Sequence, residues 1–498
     1  MSQAIQSKMM RGAAWMVLFK LFDKSLGLIS TLILVRLLTP ADFGIVAMAM
    51  SFVMMAEVLT AFGFDLALIQ NKDAGDEHFH TAWTLNVIFG ALASVVLLAL
   101  AWPASHFYEN ATVLPVLCCL AFSPLLASLE NIGIVRFRKD LEFKKEFMFR
   151  ASRRFIAFAV TLPFAFLIGN YWALVAGLLA AKAGASLLSY VAHPFRPRFT
   201  LAKQSELMHF SRWMLLAGIA TFFRERSTDF FLGRMHGAAA LGVYNISNDV
   251  ANMTTVELSQ SINRALMPSF AKIVAGPPLV EAYRNAMSVL AAVSMPMAAG
   301  IFAVAPILVP VMLGRQWLMA TPLLEILVFN GLALLFMSSM GSVLISRGVQ
   351  AAVGRHNLLH VVLQVPLLLF LGHRFGARGI AVAVLSTSLA MLPLYMALMS
   401  RKLGVGLGVF GRAVIRPAIA VAVMIAAVRG WLPVYSQDLP VAQAAWHLAT
   451  GVALGAAVYF IVILALWRLA GKPEGAESMV LAKVSAKWRA RRTPPPIH

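Results

Sequence analysis

LISTLILVRLL, residues 28–38, decides the fold class. Eleven residues pass with a single charge, Arg36, near the end. The same kind of run returns as ALASVVLLALA (91–101), IAFAVTLPFAFLI (156–168) and VAVMIAAV (421–428). A helix that crosses the hydrocarbon core of a bilayer needs ~20 mostly apolar residues. Stretches of that length follow one another along the chain, separated by short polar or Gly/Pro punctuation. Composition agrees, with 60% of the 498 residues hydrophobic and 13% charged. A soluble domain averages roughly 45–50% apolar and 25% charged. The sequence therefore predicts an all-α membrane protein.

Set against the breakers, the runs place spans near 13–38, 43–69, 80–104, 111–135, 147–169 and 171–192. After a break come 210–234, 238–270, 284–313, 317–346, 352–372, 377–400, 408–430 and 443–469, giving about fourteen. The span at 238–270 is the weakest by hydropathy. The N-terminus (Met1–Arg11) is short and basic and shows no small-residue cleavage site, so the first helix is expected to be retained. Cys118 and Cys119 are adjacent in an apolar run, where neighbours face different ways on a helix, and read as packing residues.

Basic residues orient the spans, because cytoplasmic loops carry the Lys/Arg excess. With the N-terminus inside, the inside loops hold Arg136, Arg138, Lys139, Lys144, Lys145, Arg196, Arg198, Lys203, Arg401, Lys402, Arg412 and Arg416. The C-terminal tail adds Lys472, Lys483, Lys487, Arg489, Arg491 and Arg492. The outside loops hold Arg36, Arg234, Arg315, Arg374, Arg378 and Arg429. Both termini are therefore expected in the cytoplasm. The formal net charge of +20 follows from that orientation and from attraction to anionic headgroups, so nucleic acid is not expected as a partner.

Shifted by 198 residues, part of the chain matches itself without gaps. Trp15-Met16 falls on Trp213-Met214, Leu18 on Leu216, Leu34 on Leu232, Arg36 on Arg234, Ala41 on Ala239 and Gly44 on Gly242. Span one is carried onto span seven across an even number of spans, which keeps both copies in one orientation. The expected architecture is two parallel six-helix lobes with a site between them. The lobes are residues 1–205 and 206–402, followed by two C-terminal helices over 403–470 and a basic tail over 471–498.

Ionisable groups inside a membrane are costly and usually face a cavity or a partner. In span one, Lys20, Asp23, Lys24, Gly27 and Thr31 form a polar stripe in which Asp23 can pair with Lys20 or Lys24. In span eight, Asn245, Asn248, Asp249, Asn252, Ser259 and Asn263 share one face, with Thr255 and Gln260 at its edges. Such a face either packs as a hydrogen-bonded seam or lines a watery cavity, and its length favours the cavity. Span seven carries Arg224, Glu225, Arg226 and Asp229, and span two carries Glu57 and Asp65. Arg150, Arg153 and Arg154 open span five, at headgroup depth or in contact with a ligand. His356 and His360 share a face with no carboxylate or Cys nearby, so no metal site is expected. There is no Walker-type phosphate loop, and no polar stretch is long enough for a catalytic domain. The chain is expected to be neither an enzyme nor the carrier of a cofactor.

The segment LVRLLTPADFGIVAMA (34–49) resembles the signature of Wzx-type polysaccharide exporters of the colanic acid and teichuronic acid kind, in the multidrug/oligosaccharidyl-lipid/polysaccharide (MOP) superfamily. GFDLALIQ (63–70), TAWTLN (81–86), RFRKDLEFKKEF (136–147), DFFLGRMHGAAALGVYNIS (229–247) and NRALMPSFAKI (263–273) continue the pattern. The resemblance implies a flippase in the bacterial inner membrane. It would move an undecaprenyl-diphosphate-linked oligosaccharide between leaflets by alternating access, for polysaccharide biosynthesis. Membrane lipids and a polysaccharide polymerase or export complex are its candidate partners. A cationic cavity would offset the cost of burying the diphosphate. Lys20, Lys24, Arg224, Arg226 and Arg264 are the candidates for that part. Asn245, Asn248, Asn252 and Asn263 are the candidates for the sugars, and Asp23, Asp65 and Asp249 for ion coupling. The alternative is a cation-coupled multidrug antiporter of the same superfamily, against which the basic cavity argues.

Overall fold

The computed structural model describes residues 3–60, 63–273, 276–432 and 440–472. Within its helices, the side chains of 3–14, 16, 17, 21, 59, 60, 209–221, 225, 254–269, 271 and 272 lie outside that description. The first half runs α1 (Gln3–Leu37), α2 (Pro40–Thr60), α3 (Phe64–Gln70), α4 (Asp76–Phe107), α5 (Val113–Leu120) and α6 (Ser123–Ser128). It continues through α7 (Val135–Lys139), α8 (Phe143–Ile168) and α9 (Trp172–Ala192) to α10 (Gln204–Lys272). The rest is α11 (Pro277–Met312), α12 (Ala320–Ser346), α13 (Gln350–Leu403), α14 (Leu407–Trp431) and α15 (Val441–Leu469). Among the described residues, nine helices are long and apolar enough to cross a membrane, or ten if the bent pair Val113–Ser128 and Ile132–Lys139 is one span.

Two helices, α13 and α10, are hairpins. α13 has 54 residues, about 81 Å if straight, against a hydrocarbon core of ~30 Å. Its backbone leaves the helix at Gly376, with φ 64°. A Cβ on Gly379 would lie 2.0 Å from the Leu371 carbonyl oxygen, although residues eight apart in a continuous helix are separated by about 12 Å. The chain doubles back at Gly376, a left-handed conformation that glycine adopts without steric cost. α10 turns in the same way at Gly237, with φ 76°, and the space beside Gly233 is filled by Leu241 at 3.4 Å. Both turns fall in the gaps that the hydrophobic runs leave at 234–238 and 372–377.

Two expected spans differ from their reading as single helices. The second is broken at Gly63, which takes φ 67° and caps the start of α3. The fourth is broken into α5, α6, a 3-10 turn (Ile132–Ile134) and α7, with a 59° bend. Asn131 causes the bend. Its backbone N–H donates to Ser189 Oγ at 2.8 Å, and its side-chain amide donates to the carbonyls of His193 and Phe195 at 3.3 and 2.7 Å. Its carboxamide oxygen accepts from Gly133 at 2.9 Å, capping the 3-10 turn. Hydropathy does not register one polar residue that redirects a chain by satisfying distant backbone.

The chain divides into two compact units, one ending at Asn245 and the other beginning at Ile246. The first has a core of Phe64, Leu68, Phe79, Trp83, Ile132 and Val135. The second packs Met287, Leu290, Met340, Val343, Met391 and Tyr395. Large apolar side chains also face outward, such as Val191 at 85% and Ile461 at 67% exposure. A soluble protein rarely shows so much apolar surface, and a lipid-facing one does. This is a multi-pass membrane protein.

Candidate functional site

In the first unit, α1 packs along α8. Trp15, Phe19 and Phe22 contact the ring of Phe147 at 5.1, 6.2 and 6.5 Å. Their spacing puts them on one edge of α1. That packing brings Arg154 to Asp23, with Nε 3.2 Å from Oδ1. The guanidinium lies over Gly27, where a Cβ would come 2.7 Å from Nη2. The sequence offered Lys20 or Lys24 as partners for Asp23; Arg154, from another helix, is a partner it did not offer. Lys20 is half-buried and Lys24 exposed, and both make polar contacts of their own.

A second pair joins α2 to α9, where Lys182 Nζ stands 3.0 Å from Glu57 Oε1. Glu130, between α6 and the 3-10 turn, lies within electrostatic reach of Arg153, Asp65, Lys182 and Arg150. Asp65 is in turn within reach of Arg138 and Arg150. Arg150 is also bound to Glu146 at 2.8 Å, as is Arg138 at 2.6 Å. Charges of alternating sign thus connect α1, α2, α3, α8 and α9. Sequence reading missed Lys182 and Glu130. Lys182 was visible as the lone charge in LVAGLLAAKAGASLL (174–188). Glu130 lies inside the span expected at 111–135, near its end, and draws attention only through its neighbours in space.

On α10, Arg226 Nη1 meets Asp229 Oδ2 at 3.1 Å, and Asp229 is 5% exposed. Arg224, one helical turn or less away, is half-buried and makes its own contact. Beyond the turn at Gly237, Asn245, Asn248 and Asn252 are half-buried and Asp249 is exposed. Asn252 Nδ2 donates to Asn248 Oδ1 at 2.8 Å. This bond runs along one helix face and uses one of the two donors of Asn252. The remaining amide capacity suits hydroxyl-bearing ligands. Asn263 and Arg264, with Thr255, Ser259 and Gln260, fall among the side chains outside the described residues. Of the predicted site residues, the structure joins Asn248 to Asn252 directly and keeps Asn245 on the same face. It ties Arg226 and Asp23 into ion pairs with Asp229 and Arg154. Among the described residues, no three His, Cys, Asp or Glu gather as a metal site.

A family model described as polysaccharide biosynthesis protein matches residues 33–322. The chain is 25% identical over 391 residues to the lipopolysaccharide biosynthesis protein WzxC of Escherichia coli (strain K12), covering 77% of this chain and 79% of that one. It is 23% identical over 350 residues to the teichuronic acid biosynthesis protein TuaB of Bacillus subtilis (strain 168), covering 69% and 72%. In structure it resembles the lipid II flippase MurJ in an inward closed conformation, with a TM-score of 0.73 over 91% of this chain and 98% of that one. At 11% identity that likeness shows a shared fold.

Proposed function

We propose a function from one premise: this chain belongs to the polysaccharide biosynthesis protein family. It flips an undecaprenyl-diphosphate-linked oligosaccharide across the bacterial inner membrane and so supplies polysaccharide biosynthesis. The observation that carries this reading is the amide pair of Asn248 and Asn252 on the second arm of the α10 hairpin, whose first arm carries Arg224 and Arg226. A helix with that face is unsuited to lipid and suited to a ligand that is anionic at one end and hydroxyl-rich at the other.

Counting α10 and α13 as two spans each, and α2 with α3 and residues 113–139 as one each, gives fourteen spans. We assign 1–205 and 206–402 as the two six-helix lobes, 403–470 as two added helices, and both termini to the cytoplasm. The tail beyond Lys472 lies outside the described residues. Lys20, Lys24, Arg224 and Arg226, with Arg264, hold the diphosphate. Asn245, Asn248 and Asn252, with Asn263, hold the sugars. Charge-assisted hydrogen bonds to phosphate are about twice as strong as neutral ones, which offsets the desolvation of the diphosphate. Alternating access then presents this surface to one leaflet and the other in turn. Asp23, Asp65 and Asp249 are the groups for ion coupling, and a polymerase or export complex receives the product.

The test in cells is leaflet accessibility. Deleting the gene should leave the lipid-linked oligosaccharide on the cytoplasmic leaflet, out of reach of a periplasmic probe. Normal periplasmic labelling in the deletion strain, with no second flippase present, would refute the assignment.

A further inference from the structure

Within the second unit, the start of α11, the end of α13 and the start of α14 flank an open cleft of about 620 Å³. That volume is in the range of small-ligand sites, roughly 300–1,000 Å³. Among the described residues, its charged lining is Arg284 and Arg412 with Glu281, and its apolar lining includes Val280, Leu403 and Val409. Two guanidiniums against one carboxylate leave the lining one positive charge in excess.

The cations are poorly neutralised from within. Arg284 Nη2 stands 3.8 Å from Glu281 Oε1, beyond hydrogen-bond distance. Arg284 Nε is buried and meets no acceptor among the described residues, which costs free energy unless something else supplies one. Arg412 donates its Nε to the Gly408 carbonyl at 3.2 Å, using one of five guanidinium donors and fixing the head at the rim. Arg401 and Lys402, both exposed, precede Leu403 of the cleft wall and add to the local positive potential.

An apolar track leads away from this socket. From Arg412 the same side of α14 continues through Ile415, Ile419 and Val423, at steps of three and four residues. They are 58%, 45% and 43% exposed. A cationic socket at a helix end, continued by an apolar stripe along the helix, has the outline of a phospholipid, with phosphate in the socket and acyl chains on the stripe.

We propose that this cleft binds the phosphate headgroup of an anionic membrane phospholipid such as phosphatidylglycerol. None of the residues assigned to the transported lipid lines it, so the site stands whether or not the flippase reading does. The partner is a structural or regulatory lipid of the surrounding leaflet, held by the second unit.

The test is native mass spectrometry of the full-length protein in detergent, titrated with phosphatidylglycerol or with phosphatidylcholine of the same chains. The wild type should retain phosphatidylglycerol in preference to phosphatidylcholine. Arg284→Gln and Arg412→Gln should each weaken phosphatidylglycerol binding about tenfold, the order of one charge-assisted hydrogen bond, with phosphatidylcholine unchanged. Glu281→Gln removes the opposing charge and should strengthen phosphatidylglycerol binding, so an arginine variant that fails to fold leaves the idea testable. Equal retention of both lipids by the wild type would overturn the proposal. So would a Glu281→Gln protein that binds phosphatidylglycerol no better than the wild type, or folded arginine variants with undiminished binding. Displacement of the lipid by equimolar inorganic phosphate would reassign the socket to a soluble anion and overturn it equally.

Discussion

Gly44 and Gly242 occupy equivalent places 198 residues apart, and each makes room for backbone of the other's helix. A Cβ on Gly44 would lie 1.7 Å from the carbonyl oxygen of Ala238. A Cβ on Gly242 would lie 1.9 Å from the carbonyl oxygen of Pro40. Pro40 and Ala238 are themselves 198 apart, so the crossing of α2 with α10 is reciprocal, as in a two-fold contact. The chain breaks agree. Thr39, between α1 and α2, shifts by 198 onto Gly237, where α10 turns.

Replacing either glycine by alanine forces two backbones apart. Overpacking of this kind costs about 1–3 kcal/mol. Gly44→Ala and Gly242→Ala should each lower the thermal midpoint of the detergent-solubilised protein. The double variant should lose less than the sum, because one displacement relieves both clashes. Two single variants with wild-type midpoints would count against the crossing.

How far the sequence reaches is clear at particular residues. The turns at Gly237 and Gly376 were legible, because each interrupts a hydrophobic run with a small residue and a change in polarity. The repeat was legible from six short matches, but its meaning at Gly44 and Gly242 was not, since a glycine's neighbours belong to the fold. The polar face of α10 was legible from helical periodicity alone. The partner of Asp23, the Glu57–Lys182 pair and the bend at Asn131 were not. Each joins residues far apart in the chain, and hydropathy treats them singly.

Glu57 and Lys182 provide a double-mutant cycle. Their side chains are 34% and 24% exposed, so breaking the pair should cost about 1–2 kcal/mol rather than the larger penalty of a fully buried pair. Glu57→Gln or Lys182→Met should lower stability by that amount. The charge-reversed double variant, Glu57→Lys with Lys182→Glu, should recover most of it. Losses of Glu57→Gln and Lys182→Met that simply add in the double variant carrying both would show that the two do not interact.

The amide ladder on α10 separates stability from transport. Side-chain pairs four apart on one helix are worth about 0.2–0.5 kcal/mol, so Asn248→Ala and Asn252→Ala should fold and insert normally. Each removes a hydrogen-bonding group from the sugar surface, and transport should fall about tenfold. Lowered protein levels with unchanged transport per molecule would make the ladder a packing seam.

The loop after α9 should loosen in mild acid. Burial, and then Arg136 and Lys145, push the His193 imidazole below its ordinary value of 6.5, against the weaker pull of Glu142 and Asp140. Its Nδ1 accepts the backbone N–H of Phe195 at 3.1 Å, a bond that protonation removes. A lowered folded-state pKa means that the contribution to stability is whole above 6.5 and is lost as pH falls through the folded value. Hydrogen exchange, corrected for intrinsic rates, should therefore quicken across 193–203 between pH 7.5 and pH 5.5. His193→Phe should show no such pH step, and a step of the same size in that variant would assign the effect elsewhere.

The central claim is tested most directly by reconstitution. Purified protein in proteoliposomes should move a fluorescent undecaprenyl-diphosphate-linked oligosaccharide to the outer leaflet, where a membrane-impermeant quencher reaches it. Lys24→Ala and Arg224→Ala, inserted at normal levels, should slow that movement, and a cationic dye should not be extruded. Extrusion of the dye with no movement of the labelled lipid would contradict the flippase assignment.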